Sequence, residues 1–128
     1  MATVLIVDDS RAVRMLLARA LRAIGYDTLE ASNGREAVEI LEHERSIVRL
    51  VLADWNMPEM NGLDLVKHVR QDPQFDALPI IMVTSESDMD QITAALAAGA
   101  TEYVMKPFTR EILEEKLELA GVLHGGRP

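Results

Sequence analysis

Five short aliphatic runs alternate with longer amphipathic segments along this chain, and that alternation restricts the fold more than any other feature. The runs are Thr3 to Val7, Thr28 to Ala31, Arg49 to Ala53, Pro79 to Val83 and Glu102 to Met105. Each has the length of a strand, and most are continuously apolar, as strands covered on both faces are. Between the first two runs, Val13, Leu16, Leu17, Ala20, Leu21 and Ile24 fall on one helical stripe, with Arg11, Arg14, Arg19 and Arg22 largely off it. Gly25 ends this helix and Gly99 the fourth, positions where a left-handed residue costs little. Asn33 with Glu36 three residues on forms a capping-box pattern, a third helix begins near Asn61-Gly62, and Thr109 caps a last one. The inner face of that last helix reads Ile112, Leu113, Leu117 and Ala120. Parallel strands need crossover helices of one hand, so five such units predict an α/β fold: a doubly wound, five-stranded parallel sheet with five helices.

A chain of 128 residues suits one core, expected over 1–123, with 124–128 as a flexible tail. The formal net charge of −8 repels nucleic-acid phosphates and anionic membranes, so no direct nucleic-acid contact is expected. With no cysteine, thiolate metal ligation and disulfides are excluded. No basic region precedes the first apolar run, and no run reaches the length of a membrane span, so a cytoplasmic protein without membrane insertion is expected.

In open α/β sheets ligands bind beyond the carboxyl ends of the strands. Here those ends carry Asp8-Asp9, Asp54, Thr84 and Lys106-Pro107. Taken singly, Asp8 or Asp9 could cap a helix, Thr84 could be a loop hydroxyl and Lys106 a solvated surface lysine. Asp54, directly after an apolar run with no helix start beside it, has no such ordinary explanation and should be half-buried. Gathered at one sheet edge, three carboxylates repel: at about 5 Å and an effective dielectric near 20, each pair costs roughly 3 kcal/mol. Such a cluster must raise its pKa values, recruit a cation, or both. All-oxygen ligands select a hard divalent ion, with Mg²⁺ the best fit and Mn²⁺ the alternative. Phosphoryl transfer suits this site because its transition state needs positioning and counter-charge, which the cation and Lys106 supply. Asp54 is then the nucleophile, since it stands alone while Asp8 and Asp9 act as a pair.

These residues resemble the receiver domains of two-component response regulators, with chemotaxis regulators nearest. The resemblance spans nearly the whole chain and rests on Val7-Asp8-Asp9-Ser10, Asp54-Trp55-Asn56-Met57-Pro58, Met82-Val83-Thr84-Ser85-Glu86, Ala98-Gly99-Ala100 and Tyr103-Val104-Met105-Lys106-Pro107-Phe108-Thr109. It implies strand order 2-1-3-4-5, and Asp54 as the acceptor of a phosphoryl group from a sensor histidine kinase or a histidine phosphotransfer protein. It further implies Asp9, Asp54 and the Asn56 carbonyl as direct Mg²⁺ ligands, with Asp8 holding metal-bound water. Lys106, placed by a cis peptide to Pro107, matches the phosphoryl-pairing lysine, and Thr84 and Tyr103 match the switch pair. Asn56 and Glu86 match residues that tune hydrolysis of the acyl phosphate. The resemblance implies, as output, a shift between two arrangements of the fourth helix, fifth strand and fifth helix, read by a downstream protein. Unlike enteric chemotaxis regulators, the chain has Ser10 after the acidic pair and Ser87-Asp88-Met89-Asp90 at the fourth helix, which lowers the positive charge of the output face.

Other classes fit less well. A phosphatase using an aspartyl intermediate usually carries Asp-x-Asp after its first strand and a cap insertion, and neither is here. No GxxxxGK[ST] or GxGxxG loop cradles a nucleotide. A relay that passes the group to another histidine, or a module of the same fold acting without phosphorylation, shares the fold; loss of an acid, Thr84 or Lys106 would favour the latter, and all are present.

Overall fold

The structure, a computed structural model, describes residues 2–85 and 89–121. Strands β1 (Thr3–Val7), β2 (Asp27–Ala31), β3 (Val48–Asp54), β4 (Ile80–Thr84) and β5 (Glu102–Met105) alternate with helices α1 (Arg11–Ile24), α2 (Gly34–Glu44), α3 (Gly62–Arg70), α4 (Met89–Ala98) and α5 (Arg110–Leu119). All strand pairs are parallel, in the order β2-β1-β3-β4-β5. This is the doubly wound, flavodoxin-like sheet that the alternation and the resemblance imply. The sequence misses a 3₁₀ turn at Pro73–Phe75, too short to show a period. Residues 86–88, with Glu86, and the proposed tail 124–128 lie outside the described residues.

Side chains along each inner strand alternate between two apolar layers. Val4 and Ile6 of β1, Leu50 and Leu52 of β3, Ile81 and Val83 of β4 and Val104 of β5 pack against Leu17, Leu21, Leu113 and Leu117 of α1 and α5. Leu5 and Val7, Val51 and Ala53, and Ile80 and Met82 face Leu41, Leu65, Val66, Val69 and Ala95 on the opposite side. Burying one such aliphatic side chain contributes about 1.5–3 kcal/mol, so the two layers account for the continuous apolar runs. The edge strands are the exceptions, with just Ala31 of β2 and Val104 of β5 buried.

Side-chain caps fix where the helices start. Ser10, Asn33, Asn61 and Thr109 accept from the backbone N–H three residues on, and Gly25 and Gly99 adopt φ 119°. The capping box at α2 is half formed: Asn33 accepts from Glu36 N–H, while the Glu36 carboxylate accepts from the Ser32 hydroxyl at 3.0 Å. Two apolar residues assigned inward by their spacing point outward, Leu16 at 66% and Ile112 at 42% exposure. The buried stripe of α1 is Leu17, Ala18, Leu21 and Ile24, and at about 100° per residue Leu16 lies beyond its edge. By the same geometry Arg14, three residues before Leu17 and seven before Leu21, lies within the edge of that stripe, not off it.

Candidate functional site

Strand parity brings the chemical groups together. Asp54 ends β3, two residues after Leu52; Asp8 follows β1, two after Ile6; Lys106 follows β5, two after Val104. All three therefore continue the face that packs on α1 and α5, at the crevice between β1 and β3 where the strand order reverses.

The Lys106 ammonium lies 3.3 Å from Asp8 Oδ2 and 3.4 Å from Asp54 Oδ1, bridging the two carboxylates. Asp8 is fully committed: its backbone N–H donates to Ala31 O at 3.1 Å, its Oδ1 accepts from Ser10 N–H at 2.9 Å, and its carbonyl accepts from the Arg14 guanidinium at 2.7 Å. The helix cap is Ser10, so neither Asp8 nor Asp9 is needed to cap α1. One carboxylate oxygen from each of Asp8, Asp9 and Asp54 lies within 4.8 Å of the others. Asp9 is exposed and makes no hydrogen bond or ion pair among the described residues, while Asp54, 8% exposed, is more deeply buried than the sequence indicates. Burial, then the Asp8 charge, push the Asp54 carboxyl above the ordinary carboxylate value; Lys106 pulls it down, and Asp9 adds a smaller push upward. Oxygen ligands, residual negative charge and an unpartnered carboxylate suit a hard divalent cation.

Thr84, the last residue of β4, is buried and continues the opposite face, from Ile80 and Met82. Its carbonyl accepts from Lys106 N–H at 2.7 Å, which ties the end of β4 to the lysine segment, and the Lys106-Pro107 peptide is cis. Asn56 is exposed and lines an open crevice with Asp9, Met57, Pro58 and Asn61. The loop carrying it turns tightly: Glu59 has φ 65°, and Met60 N–H donates to Pro58 O at 2.7 Å. It then passes close under β3, where a side chain on Gly62 would come within 2.6 Å of Asp54 O. Tyr103 is half-buried, with the Lys116 ammonium 4.5 Å from its ring centroid and 3.2 Å from Glu102 Oε1. The sequence reading leaves Arg14 out of the site. Its position on the inner edge of α1, one turn after the acidic pair, is the signal that could have placed it there.

The acidic crevice on this sheet defines a class. Residues 4–118 match the family described as the response regulator receiver domain. The chemotaxis protein CheY1 of Helicobacter pylori is 48% identical over 116 residues, covering 90% of this chain and 93% of that protein. A CheY homologue of Campylobacter jejuni is 46% identical over 115 residues, covering 89% and 88%. Among solved structures, chemotaxis protein CheY4 of Vibrio cholerae matches with a TM-score of 0.87 at 37% identity, covering 96% of this chain and 99% of that one. The chain belongs to the response regulator receiver family.

Proposed function

We propose that this receiver is a phosphorylation switch in which Asp54 accepts a phosphoryl group from a phosphohistidine of a sensor kinase or phosphotransfer protein. The observation that carries the reading is a buried Asp54 carboxylate next to two further acids, with an ammonium within 3.4 Å. An Asp54 oxygen attacks phosphorus in line, the P–N bond breaks, and the leaving imidazole takes up a proton. Asp9, Asp54 and the Asn56 carbonyl would hold Mg²⁺ directly, and Asp8 through water. When bound, the cation supplies counter-charge to the phosphoryl oxygens. Lys106 moves from its bridging position onto those oxygens, leaving Asp8 to its backbone partners. The buried Thr84 hydroxyl then turns toward the phosphoryl group and Tyr103 follows inward, which shifts the population toward one arrangement of α4, β5 and α5. A downstream protein reads that face; Met105 and Ile112 beside Tyr103 and Lys116 give it exposed apolar contact area. The names of the relatives favour chemotaxis as the pathway, and the protein acts in the cytoplasm, without catalysing a reaction on another substrate.

Phosphoramidate, with and without Mg²⁺, tests the reading by intact mass. A Mg²⁺-dependent gain of one phosphoryl group, lost in Asp54→Asn, is expected. Equal labelling in the variant, or labelling indifferent to Mg²⁺, would overturn it.

A further inference from the structure

We propose that Arg14 is a positioning residue for the acidic crevice: its guanidinium holds the loop between β1 and α1 so that Asp9 faces Asp54 in a geometry a divalent cation can use. The inference rests on the cation-binding reading above and extends it to a residue outside the ligand set.

Asp9 makes no hydrogen bond or ion pair among the described residues, so its carboxylate is placed by its backbone alone. That backbone is fixed on one side by Asp8 and on the other by Ser10, the cap of α1. Four contacts pin Asp8: Ala31 O to its N–H, Ser10 N–H and Lys106 to its carboxylate, and Arg14 to its carbonyl. The first two belong to the sheet and the helix start. The third is surrendered when Lys106 turns to a phosphoryl group. The Arg14 contact, 2.7 Å from Nη1 to the Asp8 carbonyl, involves neither Lys106 nor the Asp8 carboxylate, so nothing in the proposed phosphoryl step requires it to break.

Arg14 is built for this task. Unlike Arg11, Arg19 and Arg22, which are exposed, its side chain is 15% exposed. Its Nε donates to Glu30 Oε1 on β2 at 3.0 Å, so the fork is anchored to the neighbouring strand before it reaches the loop. A planar guanidinium can serve both partners at fixed angles, whereas a lysine ammonium on a flexible stem cannot hold the two together. Groups that orient metal ligands from outside the ligand set typically change metal affinity by about 10–100-fold when removed.

Charge and position make opposite predictions. A fixed cation near the crevice repels Mg²⁺, so if charge alone mattered, removing Arg14 would tighten binding. If Arg14 positions Asp9, its removal weakens binding despite the lost repulsion.

The test measures Mg²⁺ affinity of the intact chain by Trp55 fluorescence, and independently by the Mg²⁺-induced rise in melting temperature. Arg14→Met should raise Kd about 10-fold, Arg14→Lys should recover part of that loss, and Glu30→Gln should raise Kd by less than Arg14→Met. The double variant should bind no more weakly than Arg14→Met, since both act through one fork. An unchanged or lower Kd in Arg14→Met, or a melting temperature lowered equally with and without Mg²⁺, would overturn the inference. Should Arg14→Met not fold, Arg14→Lys and Glu30→Gln carry the same comparison, and unchanged Kd in both overturns it. A parent chain with no Mg²⁺ response would instead overturn the cation reading itself, and the inference with it.

Discussion

Replacing Asp54 by Asn should stabilise the metal-free protein while destroying its proposed chemistry. The substitution keeps shape and removes one charge. At an effective dielectric near 20, the Lys106 attraction at 3.4 Å is worth about 5 kcal/mol. Repulsion from Asp8 and Asp9, with oxygens within 4.8 Å, amounts to about 3.5 kcal/mol each, and Asp9's exposure reduces its share through solvent screening. These nearly cancel, so the burial cost of the Asp54 carboxylate, the largest influence raising its pKa, decides the sign. We expect a gain of about 1–2 kcal/mol, or roughly 4–8 °C in melting temperature for a chain of this size. The pH dependence follows from linkage. A carboxyl whose pKa is raised in the folded state binds more protons folded than unfolded, so it costs stability at neutral pH. That cost fades as pH falls through the raised value toward the ordinary 3.8, and the advantage of Asn should fade with it. Thermal unfolding by circular dichroism in a chelator, at neutral and mildly acidic pH, reads both effects. An Asn variant less stable than the parent at neutral pH would show that the Lys106 attraction outweighs burial and repulsion, refuting this electrostatic account.

Mg²⁺ at ten times its Kd should stabilise the parent by about 1.4 kcal/mol, and Asp9→Ala should abolish that shift in calorimetry; an equal shift in the variant would place the metal elsewhere. Gly62→Ala should destabilise the fold by about 1–3 kcal/mol in urea titrations, because the added methyl meets Met82 and the Asp54 carbonyl and backbone cannot yield. Substituting Asn56 or Glu86 should change the lifetime of the acyl phosphate more than the extent of labelling; dephosphorylation within twofold of the parent for both variants would remove them from hydrolysis control.

Much of this was legible in the sequence, for physical reasons. Ile6, Leu52 and Val104 each precede a charged residue by two positions, so period-two alternation alone puts Asp8, Asp54 and Lys106 on one face once the strands are parallel. The starts of α2, α3 and α5 were readable because Asn and Thr side chains act locally, whereas the Ser10 cap of α1 was missed in favour of the neighbouring acids. Strand limits slipped by one residue at β2, β3 and β4, since apolar runs carry no signal for where hydrogen bonding stops. Leu16 and Ile112 misled because apolarity alone does not say which side of a helix meets the sheet. Arg14 was grouped with the arginines off the apolar stripe, because apolar spacing alone does not show that a charge at the rim of that stripe reaches Asp8 and Glu30. The Lys116–Tyr103 contact and the left-handed Glu59 likewise have no local sequence signature.

The central claim is that the phosphoryl group is carried on Asp54. Reducing the labelled protein with borohydride converts an aspartyl phosphate to homoserine, and mass spectrometry of the peptides containing Trp55 and Asp8-Asp9 locates it. Homoserine at position 54, dependent on Mg²⁺ during labelling, is the predicted result. Homoserine at position 8 or 9, or a phosphoryl group that borohydride does not convert, would contradict the account.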